Sequence, residues 1–180
     1  MPKKTPRVDA FVDESIRGQT YYLCAVLIPI DQQSQIRQGL KKIAMRSNHR
    51  RLHFNSETVQ KKIEIIELFT EKVDAVFVQS QVRHGIKQED ARQKCLAVLV
   101  KKLQADGIHR MYIESRSNDR RDELTILRVR STGPAIDFVH LDPYEEELLW
   151  CPDALAWTIG AGSIWKERIS RLTQQIIEVV

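Results

Sequence analysis

The run YYLCAVLIPI, residues 21–30, carries no charged side chain over ten positions. It is too short to cross a bilayer as a helix. A strand that is apolar at both odd and even positions has to be covered on both faces. A chain built around it therefore needs a sheet with other elements packed on each side. The stretch just before it alternates instead. Val8, Ala10 and Val12 point one way, and Asp9, Phe11 and Asp13 the other. Gly18, in the link ESIRGQT, suits a turn, and so short a link favours an antiparallel hairpin.

The rest of the chain alternates helical and extended patterns. Asp31 is placed to cap a helix over 32–46, with Ile36, Leu40 and Ile43 on one face. A helix over 56–72 follows, carrying Val59, Ile63, Ile66 and Phe69, and then a strand at DAVFVQSQV. The spacing predicts a long helix over 88–105, stopped by Gly107. HRMYIES reads as a strand, and its arrival after a long helix suits a parallel partner. Asp119 to Arg128 is read as a helix, although TILRVR also alternates; AIDFVHLD is read as a strand. The last helix is expected to begin at Pro152, a residue suited to the first helical position, and to be weakened midway by Gly160 and Gly162. Trp150, Trp157 and Trp165 are read as one core-facing stripe along it. The result is an α/β chain with a mixed sheet that opens with an antiparallel hairpin.

A length of 180 residues suits one domain, and 42% hydrophobic with 29% charged residues is ordinary for a globular protein. Residues 1–6, MPKKTP, read as a basic, mobile arm without the apolar segment of a secretory signal. Cys24, Cys95 and Cys151 are too scattered for a zinc site or a disulfide framework, so buried thiols in a reducing cytoplasm are expected, and no membrane partner. The net charge of +4 permits nucleic acid as a partner. Neither a GxxxxGK loop nor a GxGxxG turn is present to cradle a nucleotide.

Two strands carry their apolar pattern up to an acid, at Asp13 in DAFVDES and at Glu114 in HRMYIES. As parallel neighbours they would place both carboxylates on the sheet edge where open α/β sheets hold ligands. Such a pair is in conflict unless a cation sits between them, and Mg2+ or Mn2+ bound through oxygen would remove the conflict. Asp153, in the first turn of the last helix, is a third candidate, and Glu57, Asp119 or Asp122 a fourth. Each acid also has a plain structural reading. Asp13 can end a strand, Glu114 can pair with Arg116, Arg120 or Arg121, and Asp153 and Glu57 can complement helix starts. His53 can orient a phosphate or move a proton, or can simply pack between Leu52 and Phe54. Arg116, Arg120 and Arg121 are the residues placed to grip a nucleic-acid backbone. The pairs Lys41–Lys42 and Lys61–Lys62 read as solvated helix faces.

FVDES, YYLCAVLIP, RLHFNSE, YIESR with acids after it, and EEELLWCPDALAW occur in this order over nearly the whole chain. Together they resemble the domain-of-unknown-function-3800 family of bacteria and phages. The resemblance implies an RNase H-like fold, with an acid on the first strand, one on a later parallel strand and one on a late helix. Asp13, Glu114 and Asp153 match those places. Two departures stand out: only two opening antiparallel strands are evident instead of three, and the later strand ends on Glu114 where aspartate is common. The implied activity is divalent-metal-dependent hydrolysis of an RNA or DNA phosphodiester by Asp13, Glu114, Asp153, His53 and Glu57, with Asp122 as a further metal ligand. The alternative is a non-catalytic RNase H-like binding protein in a defence or toxin–antitoxin type of complex.

Overall fold

The computed structural model describes residues 7–82 and 87–179; the arm expected at 1–6 lies outside them. Six strands form one sheet: β1 (Val8–Arg17), β2 (Thr20–Pro29), β3 (Asp74–Gln81), β4 (Arg110–Glu114), β5 (Asp137–Leu141) and β6 (Thr173–Val179). Their order is β5-β4-β1-β2-β3-β6. β2 runs antiparallel to β1 and β3, and the β1–β4, β4–β5 and β3–β6 pairs are parallel. The helices are α1 (Ile30–Met45), α2 (Val59–Phe69), α3 (Gln88–Ala105), α4 (Asp119–Arg130), α5 (Trp150–Gly160) and α6 (Ser163–Arg168), with short 3-10 turns at Phe54–Ser56 and Glu147–Leu149.

The β2 run has the two covers its composition demands. Cys24, Val26 and Ile28 join a core with Phe11, Ile36 and Leu40 of α1, Ile66 and Phe69 of α2, and Leu155 of α5. Tyr21, Leu23 and Ala25 point the other way, into a core with Cys95 and Leu99 of α3 and Ile126 of α4. Burying these side chains on both faces contributes about 1.5–3 kcal/mol for each large one. The third antiparallel strand is β3. It lies beyond two helices in sequence, so the opening hairpin alone does not reveal it.

Several expectations are corrected. Asp13 does not end its strand. β1 continues to Arg17, paired with β2 across a two-residue turn where Gly18 takes φ +58°. What stops near Asp13 is the pairing with β4, whose last recorded partners are Val12 and Ile113. Asp31 does not cap α1; it lies inside a first turn that begins at Ile30, where its charge still favours the helix start. The last helix begins at Trp150 and is two helices. It breaks after Gly160, and Gly162 has φ 106° and ψ 179°, a conformation essentially confined to glycine. Trp157 and Trp165 therefore meet edge to face across the break, 5.2 Å between ring centroids, rather than along one helical stripe. The tail TQQIIEV is a strand that the last-helix reading passed over. Among the described residues, no helix is long and apolar enough to cross a membrane.

Candidate active site

The register of β1 and β4 builds the site. Phe11 lies opposite Tyr112 and stacks on it at 4.9 Å, and Val12 lies opposite Ile113. One step further along both strands come Asp13 and Glu114. Because side chains alternate, they share the face of Phe11 and Tyr112, which is the face that α5 covers. α5 supplies Asp153 from its first turn. One Asp153 oxygen accepts the backbone N–H of Phe54 at 3.2 Å, which ties the helix start to the segment RLHFNS between α1 and α2.

Electrostatics places the three acids in one neighbourhood. Burial, followed by the charges of Glu114, Glu14 and Asp153, pushes the Asp13 carboxyl well above the usual range. Its one recorded hydrogen bond comes from the backbone N–H of Glu14, at 2.7 Å. Burial also raises Glu114, reinforced by Asp153 and Glu14 and opposed by Arg51. Burial raises Asp153 in turn, against the Phe54 N–H and the nearby Arg51, His53 and Arg17. Arg51 is the compensating cation. Its Nη2 donates to both oxygens of Glu114, at 2.8 and 3.0 Å, and its buried Nε has no partner among the described residues.

The donor set consists of hard carboxylate oxygens, partly buried and within reach of one another's charge. That chemistry fits a divalent cation such as Mg2+ or Mn2+. Among the described residues, no three acids, histidines or cysteines already stand as a closed ligand set. Binding would require Glu114 to exchange its guanidinium partner for the ion.

The remaining sequence candidates divide. His53 is exposed, close enough to Asp153 to lower its pKa, and lines a groove beside the acids. Glu57 lines the same groove, where it accepts from Lys61 Nζ at 2.8 Å and lies 3.5 Å from His49. Asp122 is not a spare ligand. It is fully buried behind the sheet, on the α3–α4 side, and its oxygens accept from Arg92, Gln93 and Arg116. Asp119 holds the Ser115 hydroxyl and the Arg116 N–H, at the start of α4. Arg116 is not free to grip a backbone either, because its guanidinium pairs with Glu89 and Asp122 at 2.8–2.9 Å. Arg121 faces Glu89 and Asp90, and Arg120 is exposed.

The sequence reading missed Arg51 as a site residue. Residues 49–51, HRR, form a basic cluster in the sequence, but nothing local says that its last arginine pairs with Glu114. It also missed Arg17, whose guanidinium lies near Asp153 and 5.5 Å from the Trp157 ring centroid. The alternation of β1 puts Arg17 on the face of Asp13, a signal available once the strand is extended past the acid.

No protein-family model matches the chain, and no curated protein matches it in sequence. A solved structure does match in shape: the complex of PCNA with RNase HII from Archaeoglobus fulgidus, at a TM-score of 0.58 and 10% identity, covering 89% of this chain and 76% of that one. The fold of this chain is thus RNase H-like: a mixed sheet opening with an antiparallel hairpin, with helices on both faces.

Proposed function

We propose that this RNase H-like chain is a divalent-metal-dependent nuclease that hydrolyses a phosphodiester bond of RNA or DNA. The observation that carries the proposal is that Asp13, Glu114 and Asp153 lie within reach of one another's charge where β1 outruns β4. The ordered motifs that resemble the domain-of-unknown-function-3800 family support it, as does the fold shared with an RNase HII.

Asp13, Glu114 and Asp153 would hold one or two Mg2+ or Mn2+ ions. When bound, such ions lower the pKa of water and neutralise charge on a scissile phosphate. The chain's own residues supply the rest. Arg51, released from Glu114, can turn its guanidinium to a phosphate, a bidentate match. His53, exposed beside Asp153, is placed to hold a phosphate oxygen or to pass a proton to the leaving oxygen. Asp13, nine-tenths buried on a paired strand, is held in position by the sheet rather than by a loop, so it orients what binds there without first having to be ordered.

The test is cleavage of labelled single-stranded RNA, single-stranded DNA and an RNA–DNA hybrid with Mn2+, alongside the Asp13→Asn protein. Cleavage should require the ion, stop with chelator and fall at least about 100-fold in the variant, the scale of a lost catalytic group. Activity that survives the substitution would place the chemistry elsewhere. One observation favours a second reading, a non-catalytic binding protein: Glu114 is already paired with Arg51. Confirmed Mn2+ binding with no cleavage of any substrate would select it.

A further inference from the structure

Beside the acids runs a groove of about 470 Å³. Its exposed lining is Asn48, His49, Arg50, His53, Ser56 and Tyr144. Except for the tyrosine ring, these are side chains that donate hydrogen bonds or carry positive charge. The one carboxylate in its wall, Glu57, is buried and answered by Lys61 and His49. Arg51 lines the groove and reaches out of it to Glu114, and His53 lines it and sits near Asp153. The groove and the acidic site therefore share Arg51 and His53 as a common border. The guanidinium of Arg50 makes no ion pair or hydrogen bond among the described residues and is exposed to solvent.

Tyr144 sets the kind of ligand. Its ring is 58% exposed, although a large aromatic usually seeks cover. The turn that carries it is braced from both sides. The Tyr144 N–H donates to the Asp142 side chain at 2.8 Å, and the buried Trp150 Nε1 donates to the Pro143 carbonyl at 2.8 Å. Arg37 grips Glu146 with two bonds of 3.0 Å. Such bracing fixes the backbone that presents the ring at the groove wall, and the Arg51 guanidinium carbon lies 5.8 Å from its centroid. An exposed aromatic on a fixed turn beside a donor-lined groove is the arrangement that takes unpaired bases by stacking while cationic groups follow the backbone. A duplex offers the phosphates but keeps its bases stacked within the helix, out of reach of the ring.

We infer that this groove binds a single-stranded polynucleotide, with one base stacked on Tyr144 and the neighbouring phosphates on Arg50 and His53. The inference rests on the nuclease reading above and names its substrate class: a strand seated this way leads its next phosphates to the acids.

The experiment is fluorescence anisotropy in EDTA, where cleavage is silent, with the full chain. The probes are single-stranded RNA and single-stranded DNA of about 12 nucleotides, a length within the range of single-strand sites, and the DNA duplex of the same sequence. Either strand should bind at least about tenfold more tightly than the duplex, and comparison of the two arms identifies the sugar preferred. Tyr144→Ala should weaken single-strand binding about 5- to 150-fold, the value of one stacked base, while Tyr144→Phe keeps it. Arg50→Ala should flatten the salt dependence by about one phosphate contact. Equal affinity for the duplex, an unaffected Tyr144→Ala protein, or equal competition by polyglutamate would each overturn the inference. The nuclease reading is judged separately with Mn2+. Asp13-dependent cleavage in a protein indifferent to Tyr144 would leave that reading standing without the groove. Tyr144-dependent binding in a protein that never cleaves would leave the groove standing without the nuclease.

Discussion

Asp13 carries an unmet electrostatic demand. It is buried, surrounded by Glu114, Glu14 and Asp153, and answered by little more than one backbone N–H. Because folding raises its pKa, the native state binds more protons than the unfolded chain between the ordinary carboxylate value and the raised one. Stability of the metal-free protein should therefore fall as pH rises through that window, and the penalty is complete above it. Glu114 and Asp153, also raised, add the same sign. Neutralising Asp13 as asparagine should keep the fold and stabilise the metal-free protein at neutral pH by about 1–3 kcal/mol, the scale of an unsatisfied buried group. Urea unfolding across a pH series should show a shallower decline for Asp13→Asn than for the wild type. A destabilised variant would instead give Asp13 a structural role.

At the scale of elements, α3 and α4 are joined to the back of the sheet by a buried ionic network. Arg92, 2% exposed, donates to Asp122 of α4, to Glu14 of β1 and to the hydroxyl of Tyr21 on β2. Burial pushes the Asp122 carboxyl up, but the nearby His140 and the guanidiniums of Arg92 and Arg116 outweigh it and hold the group far below its ordinary value. A depressed carboxylate works in the opposite direction to Asp13. Its contribution is present above the ordinary carboxylate pKa and is lost as pH falls toward the lowered one. Asp122→Ala would leave Arg92 buried beside a single partly exposed acid, and should cost about 3–5 kcal/mol in denaturant unfolding. Glu14 belongs to this network and is the sequence neighbour of Asp13, so β1 carries a catalytic candidate on one face and a structural ion pair on the other.

Across the whole molecule, the sheet is closed off at one side by β6, which pairs in parallel with β3 from Thr173–Asp74 to Val179–Ser80. β3 holds Val76, Phe77 and Val78, all buried. Removing residues 173–179 would turn this apolar strand into an open edge with unpaired N–H and C=O groups, which invites pairing between chains. The truncated protein should melt several degrees lower and elute as larger species in size-exclusion chromatography. An unchanged melting temperature and elution volume would show that β3 needs no such cover.

Much of this architecture follows from local pattern alone. YYLCAVLIPI requires cover on two faces whatever surrounds it, and the alternation around Asp13 and the apolar face of α1 recur in the folded chain; on α2 the expected face is only half right, because Ile66 and Phe69 are buried while Val59 is exposed and Ile65 takes the core position instead. The proximity of Asp13 to Glu114 was also within reach, because two parallel strands that each arrive at an acid bring those acids to neighbouring positions just past the last paired residues, Val12 and Ile113. What local pattern does not contain is the partner across space. Asp122 and Asp153 look alike in sequence, each an acid in the first turn of a helix, yet one is locked by Arg92 and Arg116 and the other accepts the Phe54 N–H within reach of the charge of Asp13. Arg116 and Arg51 look alike as basic residues near acids, yet the first is committed to Glu89 and Asp122 and the second to Glu114. A charge's role depends on which charges come within a few ångströms of it, since burial weakens screening there and strengthens each such contact. That proximity is set by the register of β1 with β4 and by which face each helix covers, and both are decided only when the whole sheet assembles.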